Sequence, residues 1–131
     1  MQRREILASS LGMAMLSAVG LAQAQSTKTV RIVVPFASSG VQDTLARALS
    51  QEMGAALGQT VIVENRAGAG GTIGTGYVAR AEADGTVMVA AAASHNIAGS
   101  LYTKLPYDPQ KDFTPLAHIG SASYVLMVHP D

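Results

Sequence analysis

Residues 30–36 read V-R-I-V-V-P-F, residues 41–57 read V-Q-D-T-L-A-R-A-L-S-Q-E-M-G-A-A-L, and residues 60–64 read T-V-I-V-E. The first and third runs are β-branched and almost continuously apolar, the pattern of strands buried on both faces of a parallel sheet. Between them Val41, Leu45, Leu49, Met53 and Leu57 recur every four residues, a helical period. Ser39 or Gly40 is placed to cap that helix, Asp43 lies in its first turn, and Gly58 is placed to end it. The three runs predict a β-α-β unit.

Downstream the alternation continues. Residues 65–71 form a glycine-rich loop, residues 73–83 read as a helix, Asp84-Gly85 as a turn, and residues 86–92 as a third buried strand. Residues 101–115 read as loop, broken by Pro106, Pro109 and Pro115. Residues 116–119 and 124–129 read as two further strands around Gly120-Ser121. The order predicts an α/β fold, a parallel or mixed sheet flanked by helices. Right-handed crossovers then gather the strand-to-helix loops, residues 37–40, 65–72 and 93–99, at one edge of the sheet. Open α/β sheets bind ligands there, outside the carboxyl ends of their strands.

Composition narrows the function classes. The 131 residues are 48% hydrophobic and 14% charged, a globular balance within the size of one domain. A formal net charge of zero gives no electrostatic footprint for nucleic acid. Without cysteine there is no disulfide framework, thiolate metal site or cysteine nucleophile. Residues 1–24 read as a signal peptide: Arg3 and Arg4 form a positive start, an apolar stretch runs from Ile6 to Leu21, and Ala22-Gln23-Ala24 is an A-x-A cleavage site. The mature chain is expected to begin at Gln25 and to be exported. The arginine pair also resembles a twin-arginine signal, which leaves the export route open.

Each loop supports more than one chemistry. Ser38-Ser39-Gly40 offers hydroxyls and backbone N–H groups at a helix N-terminus, a natural anion cradle. The plainer alternative is that Ser39 caps the helix while Asp43 complements its dipole or pairs with Arg47. In Gly68-Ala69-Gly70-Gly71-Thr72 the glycines allow close backbone approach to a ligand, or simply a tight connection. Gly74-Thr75-Gly76-Tyr77-Val78-Ala79 has the letters of a dinucleotide fingerprint but does not follow the first strand, and no acid ends a strand about 20 residues on. Ser94 and His95 invite a hydrolase reading, yet adjacent residues rarely form a nucleophile–base pair and no G-x-S-x-G elbow is present. His118 and His129 lack paired metal spacing and read as structural.

Taken in order, several stretches resemble one family. They are Val33-Val34-Pro35-Phe36 with Gly40 and Asp43; residues 61–71, V-I-V-E-N-R-A-G-A-G-G, with Ile73-Gly74; Asp84-Gly85-Thr86; and residues 101–109, L-Y-T-K-L-P-Y-D-P, with Lys111-Asp112-Phe113. This series resembles the Bug family, the periplasmic solute-binding receptors of tripartite tricarboxylate transporters. The resemblance covers essentially all of the mature chain. It implies a type II periplasmic-binding-protein clamshell closing on a small carboxylate, with no cofactor, no metal and no catalysed reaction. Its partners would be that ligand and the membrane transporter subunits, and its location the periplasm. Carried over by position, the candidate ligand contacts are Ser38, Ser39, Gly40 and Asp43; Gly70, Gly71 and Thr72; and Ser94 and His95. Asp43 is expected to hold water or orient its loop, since a carboxylate repels an anion. The family usually has two glycines after a small residue in the first loop, and Ser39 stands in place of the first. The family chain is roughly two domains long on the usual size scale. Residues 25–131 are therefore expected to be an incomplete first lobe with the second lobe absent. A remnant that kept the fold without binding, and an exported hydrolase, are the alternatives.

Overall fold

The computed structural model describes residues 28–121, 123 and 125–129. The expected signal peptide lies outside them. The elements run β1 (Val30–Val34), α1 (Val41–Leu57), β2 (Val61–Asn65), a 3-10 turn (Ala69–Gly71), α2 (Thr72–Ala79), β3 (Val87–Val89) and α3 (Ala93–Leu101). The strands form one parallel sheet in the order β2-β1-β3. Val30 pairs with Val61 and Val34 with Asn65 on one side of β1, and Arg31 pairs with Val87 and Val33 with Val89 on the other.

This order carries the site. From β1 the chain moves through α1 to a neighbour on one side, then through α2 across β1 to a neighbour on the other. Open sheets of this kind bind ligands outside the carboxyl ends of their strands, at such a reversal of strand order.

The period-two alternation of β1 sends Ile32 and Val34 to one face. There they pack with Ala46 of α1 and with Ala90, flanked by Phe36, Met53, Val61, Val63 and Met88. Val33 takes the other face, and Val33 and Val34 are the largest fully buried side chains. Each contributes about 1.5–3 kcal/mol relative to an exposed valine.

α1 has the bounds its period predicts, and Gly58 ends it in the left-handed region at φ 61°, with Gln59 N–H reaching the Gly54 carbonyl at 3.3 Å. Its inward face is not the one the large residues suggest. Asp43 and Ala46 are buried, whereas Val41 and Leu45 are 69% and 42% exposed. A small Ala46 lets the helix lie close to the sheet, and the polar bonds of Asp43 fix its rotation.

Other expectations shift. α2 stops at Ala79 rather than Ala83, and Asp84 then turns the chain by accepting from Thr86 N–H and Oγ1 at 3.0 and 2.6 Å. β3 is three residues long rather than the seven expected at 86–92. Residues 93–99, read as loop, instead open α3. Residues 116–119 form no strand, and neither do the described residues of 124–129, Tyr124 lying outside them. Leu116, Val125 and Leu126 are 75%, 78% and 93% exposed. Alternation creates a strand only where a partner accepts its backbone bonds, and none among the described residues does so.

Candidate functional site

The first loop, residues 35–40, is fastened at both ends. Asp43 projects back from the first turn of α1, and its Oδ2 accepts from the Ser39 backbone N–H at 2.9 Å and from Arg47 Nε at 3.0 Å. Its Oδ1 accepts from Asn65 Nδ2 at 2.9 Å. The Arg47 bond, the Ser39 amide and the Asn65 amide, in that order, hold the carboxyl down to about 2. Asn65, the last residue of β2, also donates to the Phe36 carbonyl at 3.2 Å and accepts from Arg47 Nη2 at 3.1 Å. Ser39 thereby sits at φ 69°, a left-handed conformation that suits glycine better.

The second loop turns through Gly68, Ala69, Gly70 and Gly71, all at positive φ. Gly71 N–H donates to the Gly68 carbonyl at 2.9 Å and Thr72 Oγ1 to the Ala69 carbonyl at 3.0 Å. A Cβ on Gly71 would lie 3.5 Å from both Pro35 and Phe36, so this loop rests directly on the first. Tyr102 Oη donates to the same Ala69 carbonyl at 3.2 Å and ties the end of α3 to the second loop.

The third candidate segment is the first turn of α3. Ser94 lines a shallow hollow of about 360 Å³ together with Gly70, Ile97, Ala98, Leu101 and Tyr102. His95 turns elsewhere. Its Nε2 is 3.0 Å from the Pro109 carbonyl, which makes it the donor, and Nδ1 is buried without a partner. The ring stacks on Tyr107 at 6.3 Å between centroids and meets the edge of Phe113 at 4.9 Å. With one nitrogen bonded and the other shut from solvent, His95 has no donor to offer a ligand and no basic nitrogen to offer Ser94. That removes the geometric basis of the hydrolase alternative.

Electrostatics come mainly from the backbone. α1, α2 and α3 begin at Gly40, Gly71 and Ala92, and none carries a side-chain cap. Each helix starts beyond the carboxyl end of a parallel strand, so three positive dipole ends face one edge, although the Thr72 N–H of α2 is taken by the Ala69 carbonyl and the His95 N–H of α3 by the Ala92 carbonyl. Asp43 is the carboxylate closest in sequence to the first of these ends, and Arg47 balances its charge. Among the described residues no group of three His, Cys, Asp or Glu is placed to hold a metal ion.

Ser38, Ser39, Gly40 and Asp43 therefore share the first loop and first turn of α1, Gly70 and Gly71 lie against that loop or the hollow, and Ser94 joins Gly70. Thr72 turns its hydroxyl into its own loop, and His95 turns away. The sequence reading passed over Asn65 and Tyr102 as site residues.

The family model described as tripartite tricarboxylate transporter family receptor matches residues 45–131. Protein BugT of Bordetella pertussis is 37% identical over 105 residues, 79% of this chain and 32% of BugT. The solved structure of the periplasmic binding protein BugD is similar with a TM-score of 0.61 at 47% identity, over 66% of this chain and 29% of that one. MatC from Rhodopseudomonas palustris, solved with bound malate, is similar with a TM-score of 0.62 at 44% identity, over 69% of this chain and 31% of MatC. The chain spans about a third of the length of the curated relatives it matches. The α/β unit described above is thus part of a periplasmic-binding-protein fold.

Proposed function

The chain belongs to the tripartite tricarboxylate transporter family of receptors, and we propose that it supplies one wall of a cleft that holds a small organic carboxylate. The family is one of receptors and not of enzymes, so the chemistry required is capture and release. One observation carries the reading: three uncapped helix N-termini open from consecutive strands onto the same edge of the sheet. An anion is stabilised there by unpaired N–H groups and aligned dipoles, each terminus contributing about 0.3–1 kcal/mol at an exposed site.

In this reading Ser38 and Ser39 donate hydroxyl hydrogen bonds and the backbone of Gly40 and Gly70 donates N–H groups, while Gly71 and Thr72, whose N–H groups close onto the Gly68 and Ala69 carbonyls, shape the second loop. Ser94 reaches the ligand from the third side. Asp43 orients its loop and keeps clear of the anion, and His95 anchors α3. The malate bound by MatC makes dicarboxylates the first class to try. Residues 1–24 act as an export signal, residues 25–131 form the first lobe of a clamshell in the periplasm, and the loaded receptor delivers its ligand to membrane transporter subunits.

Calorimetric titration of the purified protein with malate, succinate and citrate tests this. At least one should give saturable heat at millimolar concentration or below. Absence of heat from all three, and from a wider panel of mono-, di- and tricarboxylates, refutes carboxylate binding.

A further inference from the structure

Asn65 is half-buried at the end of β2, and both N–H groups and the oxygen of its side-chain amide are used on the first loop and the helix that follows it. Its two N–H bonds go to the Phe36 carbonyl and to Asp43 Oδ1, and its oxygen accepts from Arg47. Phe36 is where the loop leaves β1, and Asp43 in turn holds the Ser39 amide. The amide therefore joins the two ends of the loop that the anion is to meet. It does so from a neighbouring strand, held in register by the pairing of Val34 with Asn65.

We infer that Asn65 is the positioning residue of the carboxylate cradle, setting the conformation of residues 36–40 without touching the ligand. The inference rests on the carboxylate-binding reading for its functional consequence, but its structural content stands apart from it. A side chain at φ 69° persists where surrounding bonds over-determine it, and Ser39 is over-determined by the Asp43–Asn65 link. The same link turns the carboxylate of Asp43 towards Arg47 of its own helix and the end of β2. Asp43 and Arg47 are the charged groups that meet Asn65. The Glu64 carboxylate beside it in sequence is engaged by Arg66, in an ion pair of 2.6 Å.

The experiment has a ligand-free arm and a malate arm. In the wild-type protein, the side-chain amide resonances of Asn65 should follow the Asp43 titration in the acid range, and Ser39 N–H should exchange slowly. Asn65→Leu keeps the size and removes the amide. Asn65→Asp keeps the acceptor for Arg47, removes both donors and sets a second carboxylate against Asp43. In both variants Ser39 N–H should lose at least tenfold in exchange protection and the Asp43 midpoint should rise, more so in Asn65→Asp. Malate affinity should fall about tenfold in each, measured well below the melting temperature. Lower melting temperatures with unchanged exchange at Ser39 and an unchanged Asp43 midpoint would overturn the inference. So would wild-type Asn65 resonances indifferent to that titration, a result that needs no variant to fold. If wild-type protein takes up no malate, the failure belongs to that ligand, and the ligand-free arm alone decides the role of Asn65.

Discussion

His95 in the first turn of α3 donates to the carbonyl of Pro109, fourteen residues further on, across 3.0 Å. That bond, with the Tyr107 and Phe113 rings around the imidazole, docks an otherwise irregular, proline-broken segment onto a helix. Removing it leaves a half-buried carbonyl short of a donor and takes a ring out of an aromatic cluster. His95→Ala should cost about 1–3 kcal/mol, the sum of one part-buried hydrogen bond and one aromatic packing contact. Chemical denaturation reads the loss, and faster proteolysis within residues 106–113 should accompany it.

Asp43 gives the protein an acid-sensitive latch. Its carboxyl is held at about 2 when folded, below the value of about 3.9 expected in an unfolded chain. The folded state therefore binds its proton less readily, and the stabilisation is fully present above pH 4 and is lost as pH falls towards 2. An asparagine in its place cannot ionise. The melting-temperature gap between wild type and Asp43→Asn should hold steady from pH 7 down to about 4 and narrow from there to about 2. A gap that stays constant through that window would contradict the bonding described.

Ser39 occupies a conformation that favours glycine. Left-handed backbone costs a side-chain-bearing residue about 1–2 kcal/mol, and glycine returns part of that through its looser unfolded state. Ser39→Gly should raise stability by up to about 1 kcal/mol. Carboxylate affinity should fall in the same variant if the Ser39 hydroxyl donates to the ligand, so a calorimetric titration beside the thermal melt separates the two roles.

Gly74 marks the closest approach of α2 to the strand ends. An added Cβ would lie 2.7 Å from the Arg66 carbonyl oxygen and 3.0 Å from the Pro35 Cα, both backbone atoms that yield little. Alanine gains about 1 kcal/mol of helix propensity but meets overpacking that costs more. Gly74→Ala should lose about 1–2 kcal/mol net. Gly120→Ala, with open space around the new methyl, should change nothing measurable in the same denaturation experiment.

The sequence made the local signals legible and hid the non-local ones. A fourfold apolar period marked α1 to the residue, and β-branched runs located β1 and β2 to within two residues. α3 went unread because A-S-H-N-I-A-G-S-L is short, contains glycine and carries no sustained apolar period. Its helix is supported from outside, by the Pro109 carbonyl on His95 and by Pro109 against Gly99, where even a Cβ would come within 3.2 Å. The run at 124–129 had the alternation of a strand but no partner among the described residues. At the site, the sequence offered Asp43 as a complement to the helix dipole, a partner of Arg47 or, by resemblance, a water-holding or loop-orienting group, and its bonds to Arg47 and the Ser39 amide are the local ones. Asn65 gave no such signal. Its bonds reach 22 and 29 residues back in the chain, and only the pairing of β1 with β2 brings those partners to it.

The sheet order also sets a clock on folding. The central strand is made first, but one of its two neighbours is β3, and Val33 meets Val89 only after 56 further residues have been synthesised. At ordinary translation rates that is a wait of about 3–11 s. Until then β1, the most buried strand of the sheet, has at most one side satisfied, and closing such distant parallel contacts is intrinsically slow. The nascent chain is therefore held open by its own topology for several seconds, the interval in which a chaperone can engage it.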